Sequence, residues 1–310
     1  GNKISLLLNY ISFAISASIK TFLMKEKFDV VLVNQLSPIF MGIPGMIYKK
    51  KNKKKMLLYC LDIWPASLTA GGIREGSILY KYFFYISKWI YHSADSVAVS
   101  STMFINYLKD TIGLKNKTIL YLPQYAEEAY KENIVVKKSN HFNFVFAGNI
   151  GEMQSVQTIV KAADTLRHLP DITLHIVGDG SKLDECKLLS ESLGLQNIIF
   201  YGRKPLEEMP KYYGLADAML VTLKNDSMIS STLPGKVQSY MISGKPIIGA
   251  INGETKYIIN EAKCGLCCDA EDYKELANLI VQFCESDEKE LMAINSYDYY
   301  YKNYSKDGFL

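Results

Sequence analysis

Apolar and polar positions in the second half of the chain alternate between two periods. Apolar runs of strand length stand at "FNFVFA" (142–147), "ITLHIV" (172–177), "NIIFY" (197–201), "DAMLVTL" (217–223) and "KPIIGAI" (245–251). Helical patterns follow them: "SVQTIVKAADTLRHL" (155–169), "SKLDECKLLSESLG" (181–194), "LEEMPKYYGLA" (206–216), the stretch after Pro234-Gly235, "ETKYIINEAKCG" (254–265) and "YKELANLIVQFCES" (273–286). Gly265 is expected to end a helix, with Leu266–Cys268 as a short buried strand after it. Near-continuous apolar strands alternating with helices of ten to fifteen residues predict βαβ units and a parallel sheet. Right-handed crossovers then give a doubly wound, Rossmann-like domain.

The first half repeats the alternation more loosely. Strands are predicted at "FDVVLVNQLSP" (28–38), "KKMLLYCLDIWP" (54–65), "SVAVSS" (96–101) and "KTILYLPQ" (117–124). An aromatic helix lies at "SILYKYFFYISKWIYHSA" (77–94), and another runs to about Gly113. The polar stretch 125–140 reads as an interdomain linker, so the expected domains are 1–138 and 139–310. The chain opens directly into a helix at Ile4–Leu23 with no strand before it. Asn9, four serines and Lys20 make that helix a poor membrane span, and an amphipathic or buried helix is expected.

Ligands of open α/β sheets bind outside the carboxyl ends of the strands. The loops that matter are therefore Gly148–Gly151, Gly178–Gly180, Gly202–Lys204, Lys224–Lys236 and Asn252–Thr255. "SSTLPGK" (230–236) brings Ser231, Pro234, Gly235 and Lys236 to the mouth of a helix, where N–H groups, dipole and ammonium suit a diphosphate. That reading fits better than the alternative, a merely capped surface helix. "FAGNIG" carries Gly148, Asn149 and Gly151. It is not G-x-G-x-x-G, and either a close ligand approach or a plain tight turn fits it. "VGDG" (177–180) fits a plain turn better. Arg203 and Lys204 of "GRK" suit a phosphate or base contact, or simply a solvated loop. Asp62 of "LDIWPASL" stands at a strand end, where a carboxylate can orient or deprotonate a hydroxyl, or cap a turn before Pro65.

Composition adds limits. A length of 310 residues with 48% apolar and 22% charged positions fits two globular domains. A net charge of +3 gives no case for nucleic acid. Six sparse cysteines point to a reducing compartment, and "CGLCC" lacks a second pair at zinc spacing, so no metal is expected. The run Lys49–Lys55 holds six lysines and is either a solvated loop or a contact with anionic lipid. The histidines sit in helix or strand contexts, and neither a G-x-S-x-G elbow nor a Walker A loop is present.

"FAGNIG…IVKAA…LHIVGDG…YGRK…ADAMLV…LPGKVQSYMISGKPIIGAINGE" resembles the donor domain of family 4 glycosyltransferases of the GT-B fold, in the bacterial branch that builds O-antigen, capsule and related polysaccharides. "NYISFAISASI", "DVVLVNQLSPIF" and "LDIWPASL" resemble that branch's acceptor domain. The resemblance implies two Rossmann-like domains facing a cleft, with 1–138 on the acceptor side and 139–310 binding the donor. It implies retaining, metal-independent hexosyl transfer from a UDP-sugar, an N-acetylated hexosamine or deoxyhexosamine, to a lipid-diphosphate-linked saccharide. The enzyme would act in the cytoplasm, peripheral at the inner face of the membrane. Helix N-termini and basic side chains would stabilise the leaving diphosphate, so no protein nucleophile is needed.

The sequence departs from the family pattern at several positions. The Glu-x7-Glu signature falls on Ser231 and Ser239, and Glu254 is a candidate substitute for the ribose-holding Glu. The first glycine loop's Arg and Lys fall on Asn149 and Gln154, and the His before the cleft Asp falls on Leu61. Diphosphate charge would then rest on Lys236 and Arg203. The acceptor half is expected to be incomplete at its start, and 300–310 resembles the start of the family's final helix. A GT-B nucleotide-sugar epimerase and a non-catalytic nucleotide-sugar-binding or scaffold subunit are the alternatives.

Overall fold

The computed structural model describes residues 3–69, 72–131 and 140–309. The chain divides into two compact units, Gly1–Pro123 and Gln124–Leu310. The stretch expected as a linker, 125–140, begins just after this boundary. Ala126 N donates to Tyr300 Oη at 3.1 Å and Tyr130 stacks on Tyr213, so residues 124–131 pack within the second unit. Residues 132–139 lie outside the described ones.

Among the described residues the second unit holds six strands: β5 (Phe142–Ala147), β6 (Ile172–Val177), β7 (Ile198–Gly202), β8 (Ala218–Thr222), β9 (Ile247–Ala250) and β10 (Gly265–Cys268). All pair in parallel, in the order β10-β9-β8-β5-β6-β7. Every residue of β8 and β9 is buried, as strands covered by helices on both faces require. The helix Val156–Thr165 buries Val156, Ile159, Val160 and Ala163, and Tyr273–Glu285 buries Leu276, Leu279, Ile280 and Phe283. Those spacings put each set on one stripe, and both stripes join the strands in a single core. Strands are added to one side of β5 as β6 and β7 and then to its other side from β8 onward, which makes the carboxyl ends of β5 and β8 the switch point where ligands of such sheets bind.

Among the described residues the first unit has four parallel strands in the order β1 (Val30–Gln35), β2 (Lys55–Cys60), β3 (Ser96–Val99) and β4 (Ile119–Tyr121). Its buried centre includes Ile39, Leu58, Ile90, Tyr91, Val97 and Phe104.

Several expectations are corrected. The helix Lys3–Leu23 forms, but it is not buried. Ile11, Phe13, Ile15, Ile19 and Phe22 are exposed, and of these Ile11, Ile15 and Ile19 border an open apolar groove. Among the described residues no helix is long and apolar enough to cross a membrane. Lys49–Lys55 is not a loop. Lys49 to Asn52 end the helix Gly42–Asn52, Lys53 is its left-handed cap, and Lys55 opens β2. Lys49 and Lys55 pair with Asp95 at 2.9 and 3.4 Å, Lys54 pairs with Asp29 at 3.2 Å, and Lys51 donates to Met24 O at 2.9 Å. Gly265 does not end a helix. The helix Gly253–Ala262 stops at left-handed Lys263, and Gly265 is the first residue of β10. A further helix, Lys289–Asn303, had no sequence expectation over most of its length.

Candidate nucleotide site

The carboxyl ends of β5, β6 and β7 converge on an open cavity of about 530 Å³. Its lining includes Gly148, Asn149, Gly178, Asp179, Gly180, Arg203 and Lys204, with Tyr130, Leu206 and Met209 at the apolar part. Backbone bonds carry the sheet pairing past the strand ends. Gly148 N donates to Val177 O at 2.9 Å, Ile150 N to Asp179 O at 2.8 Å and Gly178 N to Gly202 O at 2.9 Å. The first two exit loops thus lie backbone against backbone. A Cβ on Gly178 would sit 1.8 Å from Gly148 O, and the residue's φ is +148°, so no other residue fits. The turn "VGDG" is therefore a wall of the cavity and not merely a turn.

Two cations and one carboxylate, Arg203, Lys204 and Asp179, line this space. Asp179 Oδ1 accepts from Gly180 N at 2.7 Å, which fixes the carboxylate in its own turn. Gln154 Oε1 accepts from Gly151 N at 3.1 Å and Asn149 Nδ2 at 3.0 Å. The Asn149 and Gln154 side chains thus hold the glycine loop in shape. Gly151 supports the cavity from behind this bond and does not line it.

The remaining expected donor residues lie elsewhere. Pro234 precedes the helix Gly235–Ile242, which starts beyond the cavity lining. Ser231 Oγ donates to Ser227 O at 3.0 Å and Ser239 Oγ to Gly235 O at 3.3 Å, so each hydroxyl turns back onto its own helix. Glu254 is buried in the first turn of Gly253–Ala262. Thr255 Oγ1 in that turn donates to Thr232 O at 3.1 Å, which places Glu254 beside the loop carrying Ser231. Lys236 does not open on the cavity. Its Nζ is buried, has no hydrogen-bond partner, and lies 3.8 Å from the centroid of the Phe146 ring.

The cavity residues without a sequence expectation are Tyr130, Asp179, Leu206 and Met209. Tyr130 was hidden in the apparent linker; its ring stacks on Tyr213 with centroids 4.7 Å apart. Asp179 stood within a loop that the strand-end rule had already marked. Leu206 and Met209 belong to the turn after β7 and offered only helical period.

In the first unit, Asp62 follows β2. Its backbone oxygen accepts from Gln35 Nε2 at 2.9 Å and its Oδ2 from Ser67 Oγ at 3.0 Å. Burial pushes the carboxyl above its ordinary value, against bonds from Ser67, Ser37 and the Ile63 backbone. His175 is a core group. Its ring nitrogens lie 2.9 Å from Tyr201 Oη and from Asn143 Oδ1, and burial lowers it to about 4. Burial raises the thiols of Cys264, Cys267 and Cys268 to about 12. Among the described residues no cluster of three His, Cys, Asp or Glu could hold a metal ion.

Two parallel Rossmann-like sheets, the second with a glycine-walled cavity at its strand ends, define an α/β protein of the GT-B fold. Sucrose-phosphate synthase of Thermosynechococcus elongatus superposes with a TM-score of 0.79 at 16% identity, covering 100% of this chain and 77% of that one. Anabaena Alr3699/HepE, solved in complex with UDP and glucose, gives 0.70 at 15% identity, covering 99% and 80%. Probable glycosyltransferase WbjE of Pseudomonas aeruginosa is 29% identical over 248 residues, 75% of this chain and 60% of its own. The putative colanic acid biosynthesis glycosyl transferase WcaI of Escherichia coli K12 is 24% identical over 171 residues, 51% and 41%. The chain thus spans well under two thirds of the length of these two relatives. Residues 128–298 match the family of glycosyl transferases group 1. That is more than half of the chain, and the chain belongs to this family.

Gly178→Ala is expected to destabilise the second unit by about 2 kcal/mol or more, from the strained backbone and the contact with Gly148 O. Urea denaturation with wild-type stability would contradict the packing described. A carboxyl raised by burial carries a cost only when ionised, so Asp62 weakens the fold at neutral pH and not in acid. Asp62→Asn is therefore expected to raise the Tm of the first unit at pH 7. Near pH 3, below the usual carboxylate range of about 4, it should leave Tm unchanged. A difference of equal size at both pH values would show that burial of the charge is not its source.

Proposed function

We propose that this chain belongs to a glycosyltransferase of bacterial surface polysaccharide synthesis, whose second unit binds a UDP-sugar. The observation that carries this is the cavity at the ends of β5, β6 and β7, glycine-walled and flanked by Arg203 and Lys204. Glycines admit a diphosphate to the backbone, the two cations offset its charge, and Tyr130, Leu206 and Met209 suit the flat apolar face of a base. The UDP held by the Anabaena structure supports the choice of nucleotide. In this reading the leaving diphosphate is stabilised electrostatically, the sugar is transferred with retention, and no metal takes part. Asp62 orients the acceptor hydroxyl, which belongs to a lipid-linked saccharide. An N-acetylated hexosamine or deoxyhexosamine remains the proposed sugar, and peripheral contact with the inner membrane face the proposed location. The exposed apolar side chains of Lys3–Leu23 support that contact more than Lys49–Lys55 does, since four of those six lysines have partners within the unit.

A non-catalytic nucleotide-sugar-binding role is the second reading. The inward-turned hydroxyls of Ser231 and Ser239 favour it, because neither offers a carboxylate to the donor. Release of UDP from a bound UDP-sugar would exclude it.

Calorimetric titration with UDP in the absence of metal tests the site. Replacing Arg203 and Lys204 together by Ala is expected to weaken UDP at least tenfold, about 1.4 kcal/mol or more. Unchanged affinity would place the diphosphate elsewhere.

A further inference from the structure

Lysine ordinarily buries its methylene stem and leaves its nitrogen in water. Lys236 does the reverse. The residue is partly exposed, yet its Nζ is buried without an acceptor. The nitrogen faces the Phe146 ring at 3.8 Å from the centroid. It also lies against Gly148, where a Cβ would come within 2.9 Å of it. Gly148 lines the cavity, so the amine is stored directly behind one of its walls.

An ammonium ion in such a place has the Phe146 ring face to attract it but no counter-charge and no hydrogen bond, so its lost hydration is offset only in part and the neutral amine is favoured. Burial alone accounts for the displacement, and it lowers the group to about 7. The titratable groups on the elements packed against this helix include several phenols and the ion pair of Lys131 with Glu128, 3.6 Å apart. Tyr240 of the helix itself donates to Ala147 O at 2.9 Å, and burial raises Tyr240, Tyr213 of Met209–Leu215 and Tyr130. Burial also raises Tyr300 of the packed helix Lys289–Asn303. These phenols are neutral across the working range, and no carboxylate contributes to the state of Lys236. Its position behind Gly148 leaves a bound diphosphate as the charge that can reclaim it.

We infer that Lys236 is a reserve cation for the donor. Its amine is stored neutral behind Gly148, and it takes up one proton from solution when a nucleoside diphosphate fills the cavity. The inference rests on the donor-site reading and adds a proton to it. A neighbouring anion favours the charged form, so the bound state holds its proton to higher pH than the free state. Between those two limits binding consumes a proton and weakens as pH rises. Below both limits the lysine is already protonated and the coupling vanishes.

The test is calorimetric titration of the wild-type chain with UDP-glucose and UDP-N-acetylglucosamine, whose diphosphate diesters do not themselves titrate near neutrality. Each is measured in two buffers of different ionisation enthalpy, Tris and HEPES. The heats are expected to differ by an uptake approaching one proton at pH 8 and falling towards zero at pH 6. Lys236→Met, close in shape, is expected to bind more weakly and to lose the buffer dependence. Binding with equal heats in both buffers at pH 8 overturns the inference while leaving the donor site intact. An undiminished buffer dependence in Lys236→Met assigns the proton to another group and also overturns it. If neither donor, nor UDP, nor inorganic pyrophosphate gives heat, the donor-site reading fails, and the inference fails with it. The wild-type comparison needs no variant, so poor folding of Lys236→Met does not remove the test.

Discussion

The cavity depends on the contact of two backbones at the ends of β5 and β6. Gly178 faces the carbonyl of Gly148 so closely that no side chain can stand between them. This lets Gly148 N and Ile150 N bond to Val177 O and Asp179 O, prolonging the sheet as paired loops. Paired loops are stiff, and they hold Asn149, Asp179 and Gly180 in one wall. A second close contact lies on the other side of the same loop, where a Cβ on Gly148 would come within 2.9 Å of the Lys236 nitrogen. Two steric conditions thus meet at Gly148, one shaping the cavity and one leaving room for an amine behind it.

Charge around this wall is arranged sparingly. Arg203 and Lys204 line the cavity, while Lys236 sits beneath it in an apolar surround. A surface that showed all three ammonium and guanidinium groups at once would hold any polyanion. Storing one as a neutral amine makes its full use conditional on an anion deep enough to reach it. Asp62 in the first unit follows the same physics with the opposite sign. Burial raises its carboxyl, and a raised carboxyl is a better proton acceptor once ionised.

The parallel sheet of the second unit was legible because β8 and β9 are buried on both faces, and unbroken apolar runs follow from that. The helices were legible from their single buried stripes. The strand-end rule marked five loops without ranking them, and the cavity is lined from three of these, 148–151, 178–180 and 202–204. Nothing in "VGDG" reports that Gly178 meets another backbone, since that contact spans thirty residues. Lys236 is a charged residue after a Pro-Gly break, and a one-dimensional pattern places such a residue in solvent. Only the fold shows its nitrogen turned towards Phe146. Tyr130 was obscured by its polar neighbours. The lysine run looked solvated because Asp29 and Asp95, its partners, are distant in the chain. The helix Lys289–Asn303 escaped notice because its tyrosines and charges give no clean apolar stripe, although Met292, Ser296 and Tyr300 are buried.

The most direct measurement is amide hydrogen exchange of the chain with and without UDP, followed peptide by peptide. The account predicts slowed exchange in the segments 148–154, 178–182 and 202–206, with the strands behind them unchanged. Protection confined to other loops, or absent at saturating UDP, would contradict the assignment of this cavity to the nucleotide.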